Sequence, residues 1–126
     1  MPLLAFAVPV LPGKTDQWMA MTAEARGNRN NAYRETRRKQ GIRERCFLQH
    51  TPNGDFVIVT LEGENPQKAL QELGKTDDDF TRWFVQQVEE IHGFNLKQAN
   101  AIPVPELMID SGEDYGQQNT VQESIH

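Results

Sequence analysis

The chain has 126 residues, of which 37% are hydrophobic and 25% charged, with a net charge of −5. That length supports one hydrophobic core and is short for two, and the modest apolar content leaves some burial for a partner to complete. The acidic balance argues against nucleic acid as a ligand, and the single cysteine, Cys46, excludes an internal disulfide and a thiolate-rich metal site.

The N-terminal MPLLAFAVPVLPGK has no basic leader before its apolar run, and Pro9 interrupts that run. Neither a signal peptide nor a membrane span is expected, and a reducing, cytoplasmic setting follows as the simpler expectation. Residues 3–11, bounded by Pro12-Gly13, read as a buried strand, with Pro9 placing it at an edge or leaving it unpaired on one side. Beyond Gly13, Thr15 or a neighbour can cap a helix in which Trp18, Met21, Thr22 and Ala25 share the face toward the sheet. NNAYRETRRKQ then resumes a mostly solvent-facing helix anchored by Ala32 and Tyr33, stopping near Gln40 before Gly41.

RCFLQHTPNGDFVIVTLEG, residues 45–63, reads as a hairpin turning at Asn53-Gly54, which pairs position i with position 107 − i. Cys46, Leu48, Val57, Val59 and Leu61 then share an apolar face for the helices. Arg45, Phe47, Gln49, Ile58, Thr60 and Glu62 share the other, with Arg45 opposite Glu62 as a cross-strand ion pair. Asn65-Pro66 starts a short helix through Ala69, Leu70 and Leu73 that ends at Gly74. A second start at Thr76 or Asp77 leads into Phe80, Phe84, Val88 and Ile91 at helical spacing, stopped by Gly93. Short strands are expected at residues 94–96 and 107–109, and residues 111–126 read as a polar tail on a domain of residues 1–110.

The order β, α, β, β, α, β is the split pattern of a ferredoxin-like α+β domain, an antiparallel sheet with its helices on one face. The other sheet face mixes Phe47, Phe56 and Ile58 with Arg45 and Gln49, and packing two such faces together in a homodimer is the economical way to cover it. FAVPVLPGK, RERCFLQHTPNGD, VTLEGENP and DDDFTRWFVQQVEEIHG together resemble a small uncharacterised bacterial family of dimeric α/β-barrel proteins, over roughly residues 3 to 96. The resemblance implies the ferredoxin-like dimeric barrel. Its wider superfamily includes cofactor-free monooxygenases of the antibiotic-biosynthesis type, stress-response barrel proteins, small-ring isomerases and haem-degrading enzymes, and it selects no reaction among them.

The residues themselves nominate a cleft between helices and sheet for a small anionic or aromatic molecule, with no cofactor and no metal, because His50, His92 and His126 show no metal-ligand spacing. Its expected lining is Arg45, His50, Tyr33 and Trp83. Each has a plainer reading: Arg45 paired with Glu62, His50 at a strand end, Tyr33 anchoring its helix, and Trp83 in the aromatic stripe. His92 reads as a cation at a helix C-terminus, and Cys46 as a small hydrophobe. The alternative to a cleft is a non-catalytic homodimeric interaction module, which a sealed interior would favour.

Overall fold

Residues 1–98 and 101–116 are described by the computed structural model of the chain. Their elements run β1 (Leu3–Pro9), α1 (Thr15–Arg26), α2 (Asn30–Lys39), β2 (Ile42–Thr51), β3 (Gly54–Gly63), α3 (Pro66–Glu72) and α4 (Asp79–His92). The architecture is α+β: a three-stranded sheet in the order β1-β3-β2 with four helices. Central β3 is antiparallel to both neighbours, so β1 and β2 run parallel and the α1–α2 segment is their crossover. Pro9 closes β1 at a sheet edge, where its missing N–H costs no ladder bond.

The hairpin register differs from the expected one by two residues. Thr51 pairs with Gly54 and Cys46 with Val59, so partners sum to 105 and the turn residues are Pro52 and Asn53. Proline fixes the φ that the first turn position needs, and Thr51 Oγ1 accepts from the Asn53 N–H at 3.2 Å and donates to the Gly54 carbonyl at 2.6 Å. Gly54, at φ 124°, supplies the left-handed residue that re-enters the strand. A shift of two preserves the period of alternation, so every side chain keeps its expected face.

On the helix side lie Leu4, Phe6 and Val8 of β1 and Val57, Val59 and Leu61 of β3, all buried. Trp18 of α1, Ala69 and Leu70 of α3, and Val88 and Ile91 of α4 close over them as one core. The α4 start lies slightly later than expected: the Asp78 carboxylate accepts from the Thr81 N–H at 2.8 Å, and Gly93 ends the helix at φ 83°. Thr15 caps nothing; its hydroxyl donates to Asp55 at 2.6 Å across the hairpin end.

Two expectations for the chain's periphery are corrected. Ala32 is exposed, and what α2 buries is Arg37, at 4% exposure. The strands expected at 94–96 and 107–109 are absent among the described residues: Leu96 and Ile102 pack into the core, after which the chain leaves it without pairing. Most of the polar tail, residues 117–126, lies outside the described residues.

Among the described residues, none forms a layer on the opposite sheet face. Leu3, Ala5, Ala7 and Phe47 are exposed there, and Phe56, Ile58 and Thr60 are half-buried by their neighbours alone. Among the described residues no helix is long and apolar enough to cross a membrane.

Candidate functional site

Glu44 follows the same alternation as Cys46 and Leu48, so its carboxylate enters the helix side of edge strand β2. Tyr33 and Arg37 are one helical turn apart on α2 and face it together. The Tyr33 hydroxyl donates to Glu44 Oε1 at 2.7 Å and Arg37 Nε donates to the same oxygen at 2.9 Å. Both side chains of the ion pair are 5% exposed. Arg37 Nη1 donates to Gln40 Oε1 at 3.2 Å, whereas Arg37 Nη2 and Gln40 Nε2 are buried with no hydrogen-bond partner among the described residues.

Aromatic faces complete the surroundings of the guanidinium: Phe84 lies 4.8 Å from it, Tyr33 5.3 Å and Phe80 5.9 Å. Burial opposes the Arg37 charge, but Glu44 more than offsets it and holds the group protonated above its ordinary range. Burial, then Glu44, pushes the Tyr33 hydroxyl up, so it stays a donor. Cys46 stands on the open strand edge, yet desolvation on its helix side and the adjacent Glu44 raise its thiol well above the usual value, which makes it a poor nucleophile.

Two spaces meet at Glu44. Inside, between sheet and helices, is an apolar hollow of about 50 Å3 bordered by Trp18, Phe84 and Val59, with Glu44, Cys46 and His92 as its polar groups. That volume suits water and excludes an aromatic ring unless side chains move. Outside, between α2 and β2, an open groove of about 950 Å3 is lined by Tyr33, Arg34, Arg37, Arg38, Arg43 and Glu44 among others. Arg38 is engaged by Glu35 at 2.6 Å.

The four residues expected to line one cleft occupy three places. Tyr33 belongs to the cluster just described. Trp83 joins it indirectly, through Phe80, whose ring centroid is 5.8 Å from Tyr33 and 5.6 Å from Trp83; its own ring is covered by Arg29 at 4.2 Å. Arg45 points to the other face of the sheet, 3.6 Å from Glu62, a diagonal pair because Arg45 stands opposite Thr60 and Glu62 opposite Arg43. His50 faces the helix side at the hairpin end, bonded to Asp55 at 2.8 Å. It stands six residues beyond Glu44 on β2, about 20 Å along the strand.

His92 has the structural role expected of it, by a different route. Its Nδ1 lies 2.8 Å from the Pro9 carbonyl oxygen, its ring stacks on Phe94, and burial lowers its pKa, so it ties α4 to β1 as a neutral donor and not as a cation on the helix terminus. The residues that reasoning from sequence passed over are Glu44 and, as a buried group, Arg37. The signal was present: alternation carried two residues back from Cys46 turns Glu44 inward, and Arg37 is the one arginine of α2 four residues from Tyr33.

Among the described residues no group of three or more His, Cys, Asp or Glu side chains is placed to hold a metal ion. No protein-family model, curated protein or solved structure matches the chain.

Proposed function

We propose that the protein works as a homodimeric ferredoxin-like α/β barrel, two subunits joined through their bare sheet faces, and that each subunit binds a small anionic molecule in the α2–β2 groove without a metal. The observation that carries the binding reading is Arg37: a fully charged, 4% exposed guanidinium whose Nη2 has no partner among the described residues, on a groove that Arg34 and Arg43 also line. A buried cationic donor left unsatisfied is costly; exposed Arg34 and Arg43 meet the anion first, and Nη2, which is shut off from water, gains it as an acceptor once a neighbouring side chain moves aside. Tyr33, locked as a donor to Glu44, fixes the position of the cluster and leaves the arginines to recognise the ligand. Arg45, on the interface side, keeps Glu62 as its partner in this reading.

Titration with inorganic phosphate and, separately, benzoate, followed by backbone amide resonances, tests the assignment. Saturable shifts confined to residues 33–45 are expected, reduced tenfold or more in affinity by Arg34→Ser/Arg43→Ser, both changes at exposed positions that leave the core intact. Shifts that ignore this variant, or none at millimolar ligand, would refute binding in the groove. The second reading, a homodimeric interaction module with no ligand, draws its support from the interior hollow of only about 50 Å3.

A further inference from the structure

Beyond Ile102, which is buried, the chain runs out as Pro103-Val104-Pro105-Glu106-Leu107-Met108-Ile109-Asp110 with no helix and no strand pairing. Its apolar side chains are in water: Leu107 is 75% exposed, Met108 77% and Ile109 76%. The two prolines restrict their preceding residues to extended backbone, so the run is stiffened outward from the core. It also has a defined end, since the Asp110 N–H is taken by the Tyr115 hydroxyl at 2.8 Å and Asp110 Oδ1 accepts from Gly112. Three consecutive large apolar residues exposed to solvent have no function for a lone subunit and invite aggregation.

The complement stands on the same molecule. β1, LLAFAVP, is an edge strand without a single charged residue, so no charge of its own guards its open side against another strand, and His92 takes only the Pro9 carbonyl at its end. Its outward residues Leu3, Ala5 and Ala7 are continuous with the bare sheet face. β2, the other edge, carries Arg43, Glu44 and Arg45 and offers no such surface. Within the subunit the arm is not on β1. Across a face-to-face dimer it has the reach: eight residues span about 26 Å, against the roughly 10 Å between packed sheets.

We infer that residues 103–110 form an exchanged arm, in which Leu107-Met108-Ile109 of each copy adds as a short strand to the free edge of β1 in the second copy. The exchange is isologous, so two arms and two edges are satisfied at once and the assembly closes. It rests on the homodimer proposed above and supplies what that reading lacks, a fourth strand for each sheet.

Hydrogen exchange on the full chain, combined with Leu107→Asp/Ile109→Asp, tests the inference. At concentrations where the wild-type chain is dimeric, amides of 107–109 are expected to exchange at least 100-fold more slowly than in an unstructured chain, and to lose that protection on dilution to monomer. The double variant is expected to weaken the dimer 100-fold or more with no change in exchange of β3. A wild-type chain that is monomeric at all concentrations removes the dimer and the arm together. A wild-type dimer whose 107–109 amides exchange freely, or whose affinity the double variant leaves unchanged, overturns the arm alone. Protection of 107–109 that persists in the monomer overturns the exchange by placing the arm on its own sheet.

Discussion

The two faces of this sheet each carry an arginine–glutamate pair, and the pairs could hardly differ more. On the helix side Arg37 and Glu44 meet at 2.9 Å with both side chains 5% exposed, walled by Phe80, Phe84 and Tyr33. On the outer side Arg45 and Glu62 stand 3.6 Å apart, each 38% exposed, among apolar neighbours that no described residue covers. Identical chemistry therefore has opposite standing: the inner pair is an obligatory unit, because either charge without the other is stranded in the protein, whereas the outer pair is screened by water and contributes little in the lone subunit. Burial decides.

The largest effect should come from breaking the inner pair one side at a time. Arg37→Met leaves the Glu44 carboxylate uncompensated and is expected to lower the unfolding free energy by about 3–5 kcal/mol in urea denaturation, while Arg37→Met/Glu44→Leu should recover most of that loss. Recovery by the double variant separates a stranded charge from lost packing.

The outer face responds to a different experiment. Phe47, 53% exposed, becomes Asp without opening a cavity, so the monomer's unfolding curve should hardly move, but a charge set into the apolar face should weaken self-association at least 100-fold, or about 2.7 kcal/mol, in sedimentation. A smaller contrast follows from pH. Burial depresses the His92 pKa in the folded state, so the unfolded chain binds the extra proton first. The stability this histidine supports is present above about pH 6.5 and declines as pH falls from there toward the lower folded-state pKa. His92→Gln should flatten the slope of unfolding free energy against pH over that window. Last and smallest, Arg45→Ala is expected to cost about 0.5 kcal/mol or less under conditions that keep the chain monomeric.

Much of this was legible from residues. Strand alternation sorted both faces, and the two-residue slip in the hairpin did no harm because two is the period of the strand. The α4 stripe of Phe80, Phe84, Val88 and Ile91 is strong enough to survive any neighbour. Turn choice was less legible, since Pro52-Asn53 and Asn53-Gly54 are both good turn pairs and only the Thr51 side chain favours the first. The buried ion pair was hidden by composition: NNAYRETRRKQ, rich in arginine, reads as a mostly solvent-facing helix, and which arginine enters the core depends on a carboxylate contributed by another element. Residues 107–109 read as a strand from their side chains alone, but a strand needs a partner edge, and among the described residues none receives them.

Sedimentation velocity of the wild-type chain across a wide concentration range measures the central claim, that the bare sheet face is covered by a second copy. A reversible species of twice the 14.4 kDa subunit mass at micromolar concentration is the result predicted here, with Phe47→Asp running at the subunit mass under the same conditions. A wild-type chain that stays at 14.4 kDa into the millimolar range would contradict it.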